Sequence, residues 1–302
     1  NHESKTLLIV NNLSIVTYSR GGPKVWADGL VSHLSPTYKA SVYASRADYI
    51  RCIFSKHHIL HSNVALPSAN ADRYILTIHG DYRREKFIGQ ALFPIAIRRA
   101  DLITVPSTYL KCTLDLADAQ VIPNGINTPS WQKLNYELVG RRFSIGIITN
   151  FNFKEKANGV LRLAQALATA LPNAQLLVAG DGIHFLKLQA EISATFPRTT
   201  YYGHCDTGEF LKQLDLFAYF SLLDNQPIAI LEAMASGIPV ISNAIGGVPE
   251  IMSGHLSQFV FHSFSDYCDC LVELSKCTDL RETLGGKCHA RSLDFLWANI
   301  TH

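Results

Sequence analysis

The sequence predicts an α/β protein of two doubly wound parallel-sheet domains that face each other across a ligand cleft. Three observations carry that expectation. Short apolar strands alternate with amphipathic helices along the chain. The alternation breaks once, at the polar stretch that opens with Asn127-Thr128-Pro129-Ser130 and runs to Gly140, and then restarts more regularly. The length of 302 residues, 47% apolar and 17% charged, accommodates two cores of ordinary size.

Taken in order, Leu7-Leu8-Ile9-Val10 is apolar at every position, as a strand covered on both faces should be. The polar loop Ser19-Arg20-Gly21-Gly22-Pro23 follows, then a helix through Trp26, Leu30 and Leu34. Pro23 suits the first helical turn, where its missing N–H is not needed. Further strands are expected at 74–78, 102–105 and 121–122, with a helix over 83–100. After the break, strands are expected at 143–148, 175–179, 200–202, 216–220, 239–242 and 258–261. Helices lie between them, for example at 158–170 and 228–236. The resulting division is a first domain over 1–138, a second over 139–290, and a C-terminal helix over 291–302 that packs back toward the first.

Composition narrows the function classes. No apolar run reaches the ~18–20 residues needed to cross a bilayer. The opening residues lack a signal peptide's apolar region, so a cytoplasmic location is expected. Seven cysteines, an odd number with no CxxC pair, support neither a disulfide framework nor a zinc site. The group from Cys268 to Cys288 reads as ordinary thiols along helices. Net charge is +2, unevenly spread: residues 1–138 hold 15 Lys and Arg against 10 Asp and Glu, residues 139–302 hold 12 against 15. A basic first half suits an anionic acceptor or peripheral contact with a membrane, and equally a solvated charged face. A basic stripe is absent and the second half is acidic, which argues against nucleic acid.

The stretch from Asp224 through Pro227, Ile228 and Ala229 to Glu232 carries the most chemistry. A strand ends at Phe220, a loop holds Asp224, and a helix opens near Ile228 with Glu232 one turn inside. The first amides of a helix are unpaired and sit at the positive end of its dipole, so they bind phosphate without a metal. Glu232 could then accept bonds from ribose hydroxyls while Asp224 faces a sugar. The plainer alternative makes Asp224 a helix cap and Glu232 a surface residue. Gly21-Gly22 would let backbone approach a diphosphate closely, or simply form a turn. The dinucleotide fingerprint GxGxxG is absent after the first strand, which argues against a nicotinamide enzyme.

The Asp224–Glu232 pair, with the Ala-Met-Ala-Ser-Gly-Ile-Pro-Val-Ile that follows Glu232, resembles the Glu-x7-Glu signature of retaining GT-B glycosyltransferases of family 4, the glycosyl transferases group 1. Gly246-Gly247-Val-Pro-Glu250 follows at that family's spacing. Weaker similarity covers residues 100–107, residues 121–126, Tyr74-Ile-Leu-Thr-Ile-His79, and Val178-Ala-Gly-Asp-Gly182. The resemblance implies two Rossmann-like domains and transfer of a sugar from a nucleotide-diphosphate sugar to a glycan or lipid-linked acceptor, in polysaccharide biosynthesis for example. It implies neither a cofactor nor a metal, in keeping with the absence of Asp-x-Asp.

By the same resemblance His79 is a donor-sugar contact, although a lone histidine is more often structural. Lys156 matches the family's diphosphate-binding lysine, and Asn150 stands where the family has an arginine, so one full charge is missing. Lys154 is a candidate to compensate. Asp224 replaces the family's first glutamate and is one methylene shorter. The catalytic set is thus His79, Asp224 and Glu232. The donor-binding set is Gly21, Gly22, Asn150, Lys156, Gly182, Pro227, Ile228, Ala229 and Glu232. Two alternatives stay open: a sugar-nucleotide epimerase on the same fold, and a scaffold or regulatory subunit that has lost activity.

Overall fold

The computed structural model describes residues 11–19, 21–66, 70–84 and 87–300. The chain divides into two units, Asn1–Gly125 with Trp297–His302, and Ile126–Leu296.

The first unit holds β1 (Asn11–Val16), α1 (Gly22–Ser32), β2 (Tyr38–Tyr43), α2 (Arg46–Phe54), β3 (His57–Ser62), β4 (Ala71–Thr77), α3 (Phe87–Arg99), β5 (Leu102–Val105), α4 (Thr108–Thr113) and β6 (Gln120–Val121). Its sheet runs β2-β1-β3-β4-β5-β6, with every pairing parallel. The chain steps from β1 to β2 on one side and then to β3 on the other, which is the doubly wound topology. The strand that leads into the glycine turn is Asn11–Val16, whereas the expected 7–10 strand lies outside the described residues. Leu13, Ile15 and Val16 bury its apolar side chains.

The second unit holds β7 (Ser144–Ile148), α5 (Lys154–Ala170), β8 (Gln175–Ala179), α6 (Phe185–Thr195), β9 (Thr199–Gly203), α7 (Thr207–Leu211), β10 (Leu216–Tyr219), α8 (Ile228–Ala235), β11 (Val240–Asn243), α9 (Val248–Ile251), β12 (Val260–Phe261), α10 (Phe264–Lys276) and α11 (Thr278–Ser292). Its order, β12-β11-β10-β7-β8-β9, is again parallel throughout, and the direction reverses between β7 and β10. Strands β7, β8 and β10 are apolar on both faces because helices cover both sides of the sheet. All seven cysteines are free, and Cys268, Cys270 and Cys288 sit on α10 and α11 as expected.

Residues 126–138, placed with the first domain on composition, pack within the second unit. Tyr136 donates its hydroxyl to the Gly237 carbonyl at 2.9 Å, and the buried Arg281 donates through Nε (3.1 Å) and Nη2 (2.5 Å) to the Tyr136 carbonyl. Asp215, fully buried, accepts from Arg141 at 2.5 and 2.6 Å, from the Ser144 amide at 2.9 Å and from Lys133 at 3.4 Å. A buried carboxylate is tolerated only with such pairing, so these bonds anchor the segment where composition reads as a linker.

The chain ends in α12 (Trp297–Ile300), which belongs to the first unit. Trp297, 3% exposed, lies against Gly29 and Gly125, where an added Cβ would fall 2.1 and 2.3 Å from its ring atoms. Only glycine admits the indole at both positions. Just before it, the Ile126 amide donates to the Phe295 carbonyl at 2.9 Å within the second unit.

Candidate active site

In an open parallel sheet, ligands bind beyond the carboxyl ends of the strands, where strand direction reverses. In the second unit that point lies between β7 and β10, and the sequence-predicted residues gather around it. Asn150 and Lys156 follow β7, Gly182 follows β8, and Asp224, Pro227, Ile228, Ala229 and Glu232 follow β10. Three close approaches shape the loops. A Cβ on Gly182 (φ +147) would lie 2.3 Å from the Phe151 carbonyl carbon, so the β8 loop presses on the β7 loop. A Cβ on Gly159 would lie 2.5 Å from the Phe220 carbonyl oxygen, seating α5 against the end of β10. Gly246 (φ +56) would meet the Asp224 carbonyl at 2.1 Å, and Gly247 N–H donates to the Asn225 carbonyl at 2.5 Å.

Asp224 does not cap α8. Its Oδ2 accepts from Lys156 Nζ at 2.6 Å and from the Tyr219 hydroxyl, and its Oδ1 accepts from the Asn225 amide at 2.9 Å. The Lys156 and Asp224 side chains are 12% and 11% exposed, so the pair is largely desolvated. Helix α8 starts after Pro227 with no side-chain cap, leaving the amides of Ile228 and Ala229 at its head. Asn150 Oδ1 is buried without a hydrogen-bond partner among the described residues, an acceptor available to a ligand. Lys154, offered as compensation for the missing arginine, is exposed at the first position of α5.

Glu232 is not a surface residue. It is half-buried, and burial, with the Asp206 charge adding to it, pushes its carboxyl up to about 7. Protonation is therefore easier in the folded than in the unfolded chain, and the folded state loses stability as pH rises from the ordinary carboxylate range to about 7. The neutral variant Glu232→Gln escapes this loss. Denaturant unfolding at pH 5 and pH 8 should show the variant gaining up to about 3 kcal/mol on the wild type at the higher pH. An equal difference at both pH values would rule out a buried carboxyl there.

The first unit presents its own polar cluster at the ends of β1, β3 and β4. Gly21 (φ +80) caps α1, and its turn is braced by Asn63, whose amide donates to Thr17 Oγ1 and to the Pro23 carbonyl, each at 3.0 Å. Gly21 needs glycine for its backbone angle rather than for space, since the nearest atom to an added Cβ is 3.9 Å away. His79 lies half-buried just past β4, edge-on to Trp26 at 5.0 Å between ring centroids. Burial and the neighbouring His61 push it down to about 3, against an opposing hydrogen bond to Asn124, so it is a neutral imidazole at working pH. His61 is likewise neutral and bonds Thr77 Oγ1 at 2.7 Å. Thr17, Asn63, His61, Trp26 and Tyr219 were not singled out from the sequence. Only their tertiary partners distinguish them from core.

Comparison with known proteins bears on the fold and on one segment of the chain. Residues 142–276 match the family model described as glycosyl transferases group 1. Among curated relatives, the N-acetyl-alpha-D-glucosaminyl L-malate synthase of Bacillus anthracis is 24% identical over 213 residues, 64% of this chain and 55% of that protein. The D-inositol 3-phosphate glycosyltransferase of Mycobacterium tuberculosis is 28% identical over 148 residues, 44% of this chain and 31% of that protein. The chain therefore spans about half or less of the curated relatives it matches. Among solved structures, Anabaena HepE in complex with UDP-glucose superposes with a TM-score of 0.76 at 15% identity, covering 96% of this chain and 97% of that one. Sucrose-phosphate synthase from Thermosynechococcus elongatus gives a TM-score of 0.72 at 15% identity, covering 96% of each chain. The fold is GT-B.

Proposed function

We propose that this chain is a glycosyltransferase that moves a sugar from a nucleotide-diphosphate donor to a glycan or lipid-linked acceptor, with retention and without a metal. The observation that carries the reading is the Lys156–Asp224 pair at the reversal point of the second sheet, next to the uncapped start of α8. Cleaving the anomeric bond puts negative charge on the leaving phosphate, and a preorganised cation with two helix-head amides stabilises it as it develops. Glu232 holds the ribose, Asn150 and the Gly182 loop line the diphosphate, and Asp224 faces the sugar. In the first unit, the Gly21-Gly22 turn and the neutral His79 are the groups its strand ends offer a ligand. Attack from the leaving-group face lets the departing phosphate take the acceptor's proton, so no pair of protein carboxylates is needed as in glycoside hydrolysis.

Peripheral contact with an anionic membrane belongs to the same reading. The exposed Ile88 and Ile95 of α3 lie between the arginine pairs Arg83-Arg84 and Arg98-Arg99, and sedimentation with phosphatidylglycerol vesicles tests it. No helix among the described residues is long and apolar enough to cross a membrane. The deciding experiment is thermal unfolding with UDP, GDP, ADP and their sugars. A true ligand at 100 times its Kd should stabilise by ~2.7 kcal/mol. A chain that none of them stabilises is not a sugar-nucleotide enzyme. One that transforms the donor with no acceptor present is an epimerase.

A further inference from the structure

Strand β10 ends on a side chain that the transfer reaction as described does not use. Tyr219 is 1% exposed, packed in the second unit's core beside Phe217. A phenylalanine would fill that space as well. A buried hydroxyl is retained at a cost unless it makes a bond, and this one donates to Asp224 Oδ2. Resting on the donor-site reading above, we infer that Tyr219 is a positioning residue: its hydroxyl holds the shortened Asp224 carboxylate in place against the donor sugar.

Backbone movement cannot supply the reach that Asp224 lacks relative to a glutamate. The Asp224 carbonyl is pinned by the Gly246 approach, and its neighbour Asn225 by the Gly247 amide. The carboxylate's placement therefore depends on what bonds to it. Oδ2 takes both Lys156 and Tyr219, while Oδ1 takes, among the described residues, the Asn225 amide and keeps acceptor capacity for a sugar hydroxyl. Lys156 has a competing partner in the diphosphate. Once the donor is bound and that ammonium is shared with phosphate, the Tyr219 hydroxyl is the side-chain donor left to Asp224. Desolvation and the adjacent Asp224 charge raise the Tyr219 hydroxyl well above its ordinary range, so it remains a proton donor at any working pH.

The test is calorimetric binding of UDP-glucose, UDP-N-acetylglucosamine, GDP-mannose and ADP-glucose, each beside its own nucleoside diphosphate. The proteins are wild type, Tyr219→Phe, Asp224→Glu and the double variant. Tyr219→Phe should weaken the tightest sugar nucleotide by about tenfold, the size of a lost hydrogen bond to a charged group. It should leave the matching nucleoside diphosphate within about twofold, since that ligand has no sugar for Asp224 to hold. In the double variant, the missing hydroxyl vacates space for the longer glutamate, and sugar-nucleotide affinity should return toward wild type. Should Tyr219→Phe alone not fold, the double variant compared with Asp224→Glu carries the same contrast, the double variant binding more tightly. Equal losses for sugar nucleotide and diphosphate, no loss at all, or no recovery in the double variant each overturn the inference while leaving the transferase reading intact. Wild-type protein that binds none of the ligands overturns both.

Discussion

Lys156→Ala should lower sugar-nucleotide turnover by ~10²–10³-fold, the usual consequence of removing one preorganised group aimed at developing charge. Asn150 carries no charge, and Lys154 is exposed at the head of α5. The substitution also strands Asp224, whose side chain is 11% exposed, with the Tyr219 hydroxyl and the Asn225 amide as its remaining partners. Leaving one member of a largely buried pair uncompensated costs about 3 kcal/mol of stability. The two effects separate in Lys156→Ala/Asp224→Asn, which removes both charges. That protein should recover most of the lost stability and none of the lost turnover. Steady-state kinetics with the donor chosen by thermal unfolding, run beside denaturant melts, measures both. Turnover within about threefold of wild type in Lys156→Ala would take the lysine out of the diphosphate site.

Trp297→Ala should cost ~3–5 kcal/mol. The indole is the chain's last large buried group and joins Leu13, Ile15, Trp26 and Ala27 in one small core. Gly29 and Gly125, which touch the indole, have no side chains with which to fill the void. The converse experiment is Gly125→Ala. Its new methyl would overlap a ring that cannot withdraw, so it should destabilise by about 1–3 kcal/mol through overpacking. Chemical unfolding followed by tryptophan fluorescence reads both. A midpoint unmoved by Trp297→Ala would mean that the C-terminal turn does not dock where the structure puts it. Because Trp297 is separated from the rest of its unit by the whole of residues 126–296, the loss should appear as a change in the first unit's unfolding.

What could be read in advance follows from where the determining interactions lie along the chain. Strands β5 and β8 are legible to the residue, because a strand covered on both faces must be apolar at nearly every position and nothing else in a short run looks the same. Strands β2 and β3 are not. Tyr38-Lys-Ala-Ser-Val-Tyr43 lies at the sheet's edge and tolerates polar residues. His57-His-Ile-Leu-His61-Ser62 hides two of its three histidines, His57 and His61, in bonds to Ser14 and Thr77, partners 43 and 16 residues away. The same distinction governs the site. Asp224, Ile228 and Glu232 are set by one loop and one helix turn, so local spacing alone brings them together. Lys156, 68 residues before Asp224, was legible only through family resemblance, and that resemblance assigned it to phosphate rather than to Asp224.

The sequence by itself determined the doubly wound class and the loop from Asp224 into the helix at Ile228, because strand periodicity and helix-start chemistry act over a few residues. The tertiary structure alone decided that residues 126–138 pack within the second unit through Arg281 and Gly237. It also decided that Tyr219, which reads as one more apolar residue in Leu-Phe-Ala-Tyr, turns its hydroxyl onto a carboxylate. Burial conceals such polar atoms from any local pattern. Their cost is met by partners brought near only when the chain closes on itself.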